Sequence, residues 1–346
     1  MQINNLMLGW KPFFQQQLNL DELETCYAAR IAQLQRSNVV LWSEQGEQML
    51  PLALFPDAHD LAVGDWVLMP VQGERPERVL DRFSLIARKA AGTKVEEQRI
   101  AANIDTLFIV TSCNQDFNES RIERYLVLAH EANVTPVVVL TKADLVDNAL
   151  EFKQTVEKLH GGVAVECVDA RDPAGLGVIQ PWCTKGQTVA LVGSSGVGKS
   201  TLINNLTGST QRTMGVRDDD AKGRHTTTAR SLHVLTGGGL LVDTPGMREL
   251  QLISAEEGLH EVFEDIEQYF AQCKFSDCRH QAEPGCAVQA AIHRGELDPR
   301  RWANYVKLQA EQARNTQTLA DKRAKERATG KLYKAILRTK KDNKEW

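Results

Sequence analysis

TKAD, Thr141 to Asp144, directly follows the apolar run PVVVL and is the stretch on which the fold turns. A carboxylate at Asp144 can accept the paired N1–H and N2–H₂ donors of guanine, a pair adenine does not offer, while Lys142 lays its aliphatic stem along the base. Thr141 and Ala143 complete the segment. The stretch suited to phosphate, GSSGVGKS, begins only at Gly193. In an ordinary G domain the phosphate stretch comes first. Either one of the two motifs is accidental, or the segments are circularly permuted.

Working outward, 346 residues give room for two or three domains, and a 42% hydrophobic content lets each bury a core. No window approaches 18 consecutive apolar residues, and the start MQINNLMLGWKPFFQQQL lacks a charged segment followed by an apolar one. A cytoplasmic protein without a membrane partner, acting as a monomer, is expected. Of seven cysteines, Cys26, Cys113, Cys167 and Cys183 are scattered singly, which suits a reducing compartment. The net charge of −4 hides an asymmetry: Asp321 to Trp346 carries +6 and the rest −10. A basic tail on an acidic body is the footprint of an arm that touches phosphate, and a solvated helix is the plainer reading of the same composition.

Three textures follow one another. From about Arg30 to Ala90, short β-type runs (NVVLW, MLPLALF, DWVLMP, RVLDRF) separated by turn residues predict a small barrel, an OB-fold or SH3-like module. From Ile104, apolar strands alternate with helical patterns, which predicts a parallel sheet covered on both faces. After roughly Ser254 the chain reads as helices around one Cys/His cluster.

GSSGVGKS stands between a strand, QTVALV, and a helix, STLINNLTG, as a P-loop requires. Glycines at Gly193, Gly196 and Gly198, with Ser194, Ser195 and Val197 between them, let backbone N–H groups turn in around phosphates. Lys199 would reach the β/γ-phosphates and the Ser200 hydroxyl would bind Mg²⁺, with Thr201 following in the helix. LLVDTPG delivers Asp243 towards Mg²⁺ and Gly246 into a turn near the γ-phosphate. Between them GRHTTT offers a switch threonine, Thr226 or Thr227. A glutamine often positions the attacking water after such a turn, yet Met247, Arg248 and Glu249 follow here. His225 is the candidate substitute, against the plainer reading of a polar switch residue. Taken in sheet terms, the order is a normal G domain cut after DTPG and rejoined at its old termini.

CKFSDCRHQAEPGC supplies Cys273, Cys278, His280 and Cys286, a closed Cys₃His set for a structural Zn²⁺; a buried cluster of unbonded cysteines is the alternative. Two other functions fit parts of the pattern. One is a P-loop ATPase or nucleotide kinase with TKAD accidental, the other an RNA-binding module in which nucleotide only sets conformation.

VGDWV in the barrel, RIAANID at Arg99 to Asp105, TKAD before GSSGVGKS, then GRHTTT, DTPG and C-x₄-C-x-H-x₅-C together resemble the circularly permuted, ribosome small-subunit-dependent GTPase A family, RsgA or YjeQ. The resemblance covers nearly all of the chain. It implies a multidomain fold: an N-terminal all-β OB-fold barrel that binds RNA (with its extension, residues 1–98), a central α/β P-loop G domain that is circularly permuted (99–255), and a C-terminal, mainly α zinc-binding domain with the basic tail (256–346). It also implies GTP hydrolysis to GDP stimulated by the small ribosomal subunit, whose late maturation and rRNA the protein would serve. By match, nucleotide contacts fall on Thr141 to Asp144 and Gly193 to Thr201, catalysis on His225, and zinc on the four Cys/His residues. The start LGWKPFFQQQL and the acidic run Asp218 to Asp220 depart from the family pattern.

Overall fold

The computed structural model describes residues 4–55, 57–89, 97–208, 230–243 and 255–316. His225, Thr226, Thr227, Gly246, Asp218 to Asp220 and the tail from Asp321 lie outside them.

The N-terminal part begins with two short helices, α1 (Pro12–Gln15) and α2 (Leu20–Thr25), and continues as an antiparallel sheet of β1 (Cys26–Leu34), β2 (Asn38–Ser43), β3 (Gly46–Pro51), β4 (Trp66–Pro70) and β5 (Arg78–Val79). β1 is long enough to serve two neighbours: Cys26 to Arg30 pair with β4, and Arg30 to Leu34 pair with β2 across an irregularity between Ile31 and Gln33. Such a break bends the strand and curls the sheet. One face closes over Ile31, Val39, Leu41, Leu50, Val67 and Met69. The other is sealed by the N-terminal arm, whose Leu8 and Phe14 bury against Trp66 and Leu80. The run RVLDRF pairs as a strand only at Arg78–Val79.

A hairpin of β6 (Leu85–Lys89) and β7 (Glu97–Ala102) leads into the α/β part. Its strands are β8 (Thr106–Ser112), β9 (Thr135–Thr141), β10 (Ala164–Val168), β11 (Thr188–Val192), β12 (Arg230–Val234) and β13 (Leu240–Asp243). The sheet order is β10-β9-β8-β11-β13-β12, parallel except for β12. All seven residues of β8 and all five of β11 are buried, as a sheet covered on both faces demands. Alternate side chains of β8 serve different layers. Leu107 and Ile109 face α3 (Glu119–Glu131) and α4 (Ala149–Leu159), while Phe108 and Val110 face α5 (Lys199–Thr207) and the 3₁₀ stretch Ala174–Cys183.

Two junctions hold the parts together. Gln33 and Leu34 of β1 pair with Ser231 and Arg230 of β12, so the two sheets are continuous. At that junction Arg30, 1% exposed, donates to the carbonyls of Gly64, Leu8 and Asn103 and to Thr188 Oγ1. Burial pulls its guanidinium down to about 10, still charged at neutral pH, with Asp105 and Asp65 opposing the shift. The C-terminal helices are α6 (Glu256–Val262), α7 (Glu264–Glu267), α8 (Ala287–His293) and α9 (299–316); α6 packs on α3, and α9 reaches it through hydrogen bonds to Glu123. Contact there is close: a Cβ at Gly258 would sit 2.2 Å from the Val127 carbonyl. Among the described residues no helix is long and apolar enough to cross a membrane.

Candidate nucleotide site and Cys/His cluster

β9, β10, β11 and β13 end on the same edge of a parallel sheet, the edge at which open α/β folds bind ligands. β11 delivers the P-loop. Gly193 (φ 144°) passes so close to its neighbour that a Cβ would lie 2.1 Å from the Val110 carbonyl, and Gly196 (φ 81°) and Gly198 (φ 98°) are left-handed. No other residue type suits such a path. Val197 is buried beneath it, Ser195 is exposed on it, and Lys199 opens α5 with its ammonium on the carbonyls of Gly193, at 2.7 Å, and Ser194. Ser200 is exposed and Thr201 half-buried in the first turn of α5. On the neighbouring strand Ala190 pairs with Val242, so Asp243, next in the chain, emerges beside the P-loop entry.

The TKAD segment meets this loop directly. The Thr141 hydroxyl, fully buried, lies 2.5 Å from the Val197 carbonyl and 3.1 Å from that of Thr111. Lys142, in a left-handed conformation (φ 56°), donates to the Gly196 carbonyl at 3.0 Å. Ala143 and Asp144 turn away in a short 3₁₀ segment, Ala143–Leu145. Threonine at the first position therefore makes a contact to the phosphate loop that needs only one hydroxyl donor.

Two partners of the crevice escape a reading of motifs. Asp116, in the loop after β8, accepts from Ser194 Oγ and from Arg121 Nη1 at 3.1 Å. Burial pulls its carboxyl up, but the hydrogen bonds from Ser194 and Arg121 and the charges of Arg121 and Lys142 outweigh it, so it titrates below its ordinary range. Arg171, in the loop after β10, donates from Nη2 to Asp144 Oδ2 at 2.6 Å and from Nε to Asp169 Oδ1 at 3.3 Å. The usable signal is position: both lie in polar loops at the carboxyl ends of strands, Asp116 after β8 beside the P-loop strand and Arg171 after β10 beside the TKAD strand. Burial pushes the thiol of Cys113, nearby, up to about 11.

The ligand atoms of Cys273, Cys278, His280 and Cys286 all lie within 4.8 Å of one another. His280 Nδ1 is 3.5 Å from Cys273 Sγ and 3.6 Å from Cys286 Sγ. A tetrahedron with Zn–S and Zn–N bonds of ordinary length has an S···N edge of about 3.6 Å, so the residues fit the ion. The Phe270 ring stacks on His280 at 4.3 Å, and the Ala287 N–H donates to Cys273 Sγ, a contact that favours a thiolate.

Comparison with known proteins agrees with this geometry. A family model described as RsgA GTPase matches residues 79–253. The chain is 52% identical over 335 residues to "Small ribosomal subunit biogenesis GTPase RsgA 2" of Vibrio parahaemolyticus, covering 96% of this chain and 93% of that one. It is 47% identical over 313 residues to "Small ribosomal subunit biogenesis GTPase RsgA" of Mesorhizobium japonicum, covering 89% and 90%. The crystal structure of YjeQ from Thermotoga maritima superposes with a TM-score of 0.59 at 26% identity, over 83% of this chain and 99% of that one. YloQ, "a circularly permuted GTPase", shares the fold with the same TM-score at 24% identity, over 83% and 95%. With its P-loop strand following rather than preceding the TKAD strand in the chain, and with relatives matched over nearly their whole length, this chain belongs to the RsgA GTPase family and is a circularly permuted GTP hydrolase.

Proposed function

We propose that the protein binds the small ribosomal subunit and its rRNA and assists the subunit's late maturation, hydrolysing GTP to GDP and phosphate at a rate the subunit stimulates. The observation that carries this reading is the contact of Thr141 and Lys142 with the Val197 and Gly196 carbonyls, which brings a guanine-reading segment and a phosphate loop into one crevice in permuted order. The ribosomal part rests on the relatives' names at about half identity over most of the chain.

In this reading Asp144 accepts from guanine and Lys142 lines the base. The P-loop from Gly193 to Thr201 cradles the phosphates by its N–H groups, and Lys199 shifts from loop carbonyls to phosphate oxygens. Ser200, Asp243 and one of Thr226 and Thr227 would hold Mg²⁺, which supplies neutralisation of the charge that develops on the phosphates. Gly246 gives the following turn its freedom, and His225 orients the attacking water in place of the missing glutamine. Cys273, Cys278, His280 and Cys286 hold one structural Zn²⁺. The curled sheet β1 to β5, with β1 shared between β2 and β4, supports an OB-fold for residues 1–98, ahead of a G domain over 99–255 and a zinc domain over 256–346. The protein acts as a monomer in the cytoplasm.

The test is the GTPase rate of the full chain titrated against purified small ribosomal subunits, with ATP as competitor. The rate should rise saturably with subunit and be indifferent to ATP. A rate unmoved by the subunit, or competed by ATP, would sink the reading.

A further inference from the structure

A carboxylate reads guanine well only if it is held. The terminal torsion of an aspartate is broad, so a free Asp144 would spread its two oxygens over many orientations and present both to the base only part of the time. Here Asp144 Oδ2 receives Arg171 Nη2 at 2.6 Å. The same guanidinium is anchored through Nε to Asp169 Oδ1 at 3.3 Å, and that oxygen also accepts the backbone N–H of Arg171 at 2.9 Å. The loop itself is tied to the phosphate side of the crevice, because Asn205 of α5 donates to the Ala170 carbonyl at 2.6 Å. A carboxylate carries about four acceptor positions. Arg171 takes one on Oδ2, which leaves that oxygen a further site and Oδ1 both of its own, enough for the two donors of guanine.

We propose that Arg171 is a specificity-setting residue of the nucleotide site: by bridging Asp169 and Asp144 it fixes the orientation of the guanine-reading carboxylate. The proposal rests on Asp144 being the base reader. It acts through Asp144, so Arg171 is a positioning residue. Its effect belongs to the second hydrogen bond, the one to the exocyclic amine, which a wobbling carboxylate loses first. Lysine in its place would keep the charge without the fork that reaches both acids.

The experiment measures dissociation constants of GTP and ITP, whose base lacks the exocyclic amine, on the full chain with Mg²⁺. Wild-type protein should prefer GTP by roughly tenfold or more, the worth of a hydrogen bond to a charged acceptor. Arg171→Ala should cut that preference by about fivefold through weaker GTP binding, leaving ITP nearly unchanged, and Arg171→Lys should not restore it. Equal losses for both nucleotides would make Arg171 merely structural and overturn the proposal. Tighter GTP binding in Arg171→Ala would overturn it too, marking the arginine as a competitor for the carboxylate. Asp144→Asn serves to separate the two levels. If that variant keeps the preference for GTP, the base reading fails and the proposal with it; if it loses the preference while Arg171→Ala keeps it, only the role of Arg171 falls.

Discussion

An aspartate that accepts two donors from guanine becomes, on conversion to asparagine, a group with N–H to give. Asp144→Asn should therefore weaken GTP binding by at least about tenfold and admit xanthosine triphosphate, whose base carries a carbonyl where guanine has its amine. Competition binding with the two nucleotides measures it, and an unchanged preference for guanine would remove TKAD as the base reader. His225 makes a different kind of contact. If its imidazole orients water, His225→Ala should spare GTP affinity and lower the subunit-stimulated rate by about 10²-fold or more. A normal stimulated rate would hand that role to another group. Both residues are nominated from sequence because their motifs stand in an order that the chemistry demands, and of the two only Asp144 lies within the described residues. Asp116 and Arg171 are not legible in this way, because each belongs to a polar loop whose meaning depends on which strand lies next to it. Only the sheet order puts Asp116 on Ser194 and Arg171 on Asp144.

The α/β runs PVVVL, QTVALV, STLINNLTG and LLVD recur as β9, β11, α5 and β13 to within one residue, because strands buried on both faces leave little room for another reading. β1 is less plain in the sequence. CYAARIAQL holds an arginine at its centre, and that side chain is buried as the hub of a junction rather than turned to water. The short 3₁₀ stretch Ala174–Cys183 carries Pro181 and no helical stripe of its own; it packs on the sheet through Leu176 and Ile179. Helix α3 shows what packing adds. Its Glu123, fully buried, accepts from Arg300, Arg301 and Asn304 of α9, the pairing that a buried carboxylate requires. At the other end of α3, His130 meets His160, the residue closing α4, with ring centroids 5.0 Å apart. Burial lowers both imidazoles below 6.5; Glu261 opposes this at each, while the charge of His160 adds to it at His130 and that of Arg301 at His160, where Asp265 also opposes. Because the folded values are depressed, the unfolded chain binds protons first. Stability should be fully present above the unfolded value and decline as pH falls through the folded ones. His160→Phe keeps the ring and removes one titration, so its urea midpoint should fall less than wild type's between about pH 7.5 and 5.5. Parallel curves would show that the pair does not govern acid stability.

At the scale of the whole molecule, the permutation places the DTPG segment directly before the Cys/His region, while β1 on β12 and α3 on α9 bind the outer parts to the central sheet. α9 in turn leads into the basic tail. Residues 321–346 carry a net +6 against −10 on the rest, so the tail is the segment whose net charge favours contact with RNA phosphate, if it is not simply a solvated helix. Truncation ahead of Asp321 should therefore weaken binding to the small subunit and leave the basal GTPase rate unchanged, since every crevice residue among the described ones precedes Ser254. The salt dependence is the sharper test. Each phosphate contact released from a single strand contributes about 0.7 to the slope of log affinity against log salt. Loss of six contacts would flatten that slope by about four, and loss of fewer by proportionately less. Subunit binding measured across a salt series for the full and truncated chains gives the number directly. An unchanged slope would mean that the tail's charges remain solvated, and that the body grips the subunit through its barrel and Cys/His faces alone.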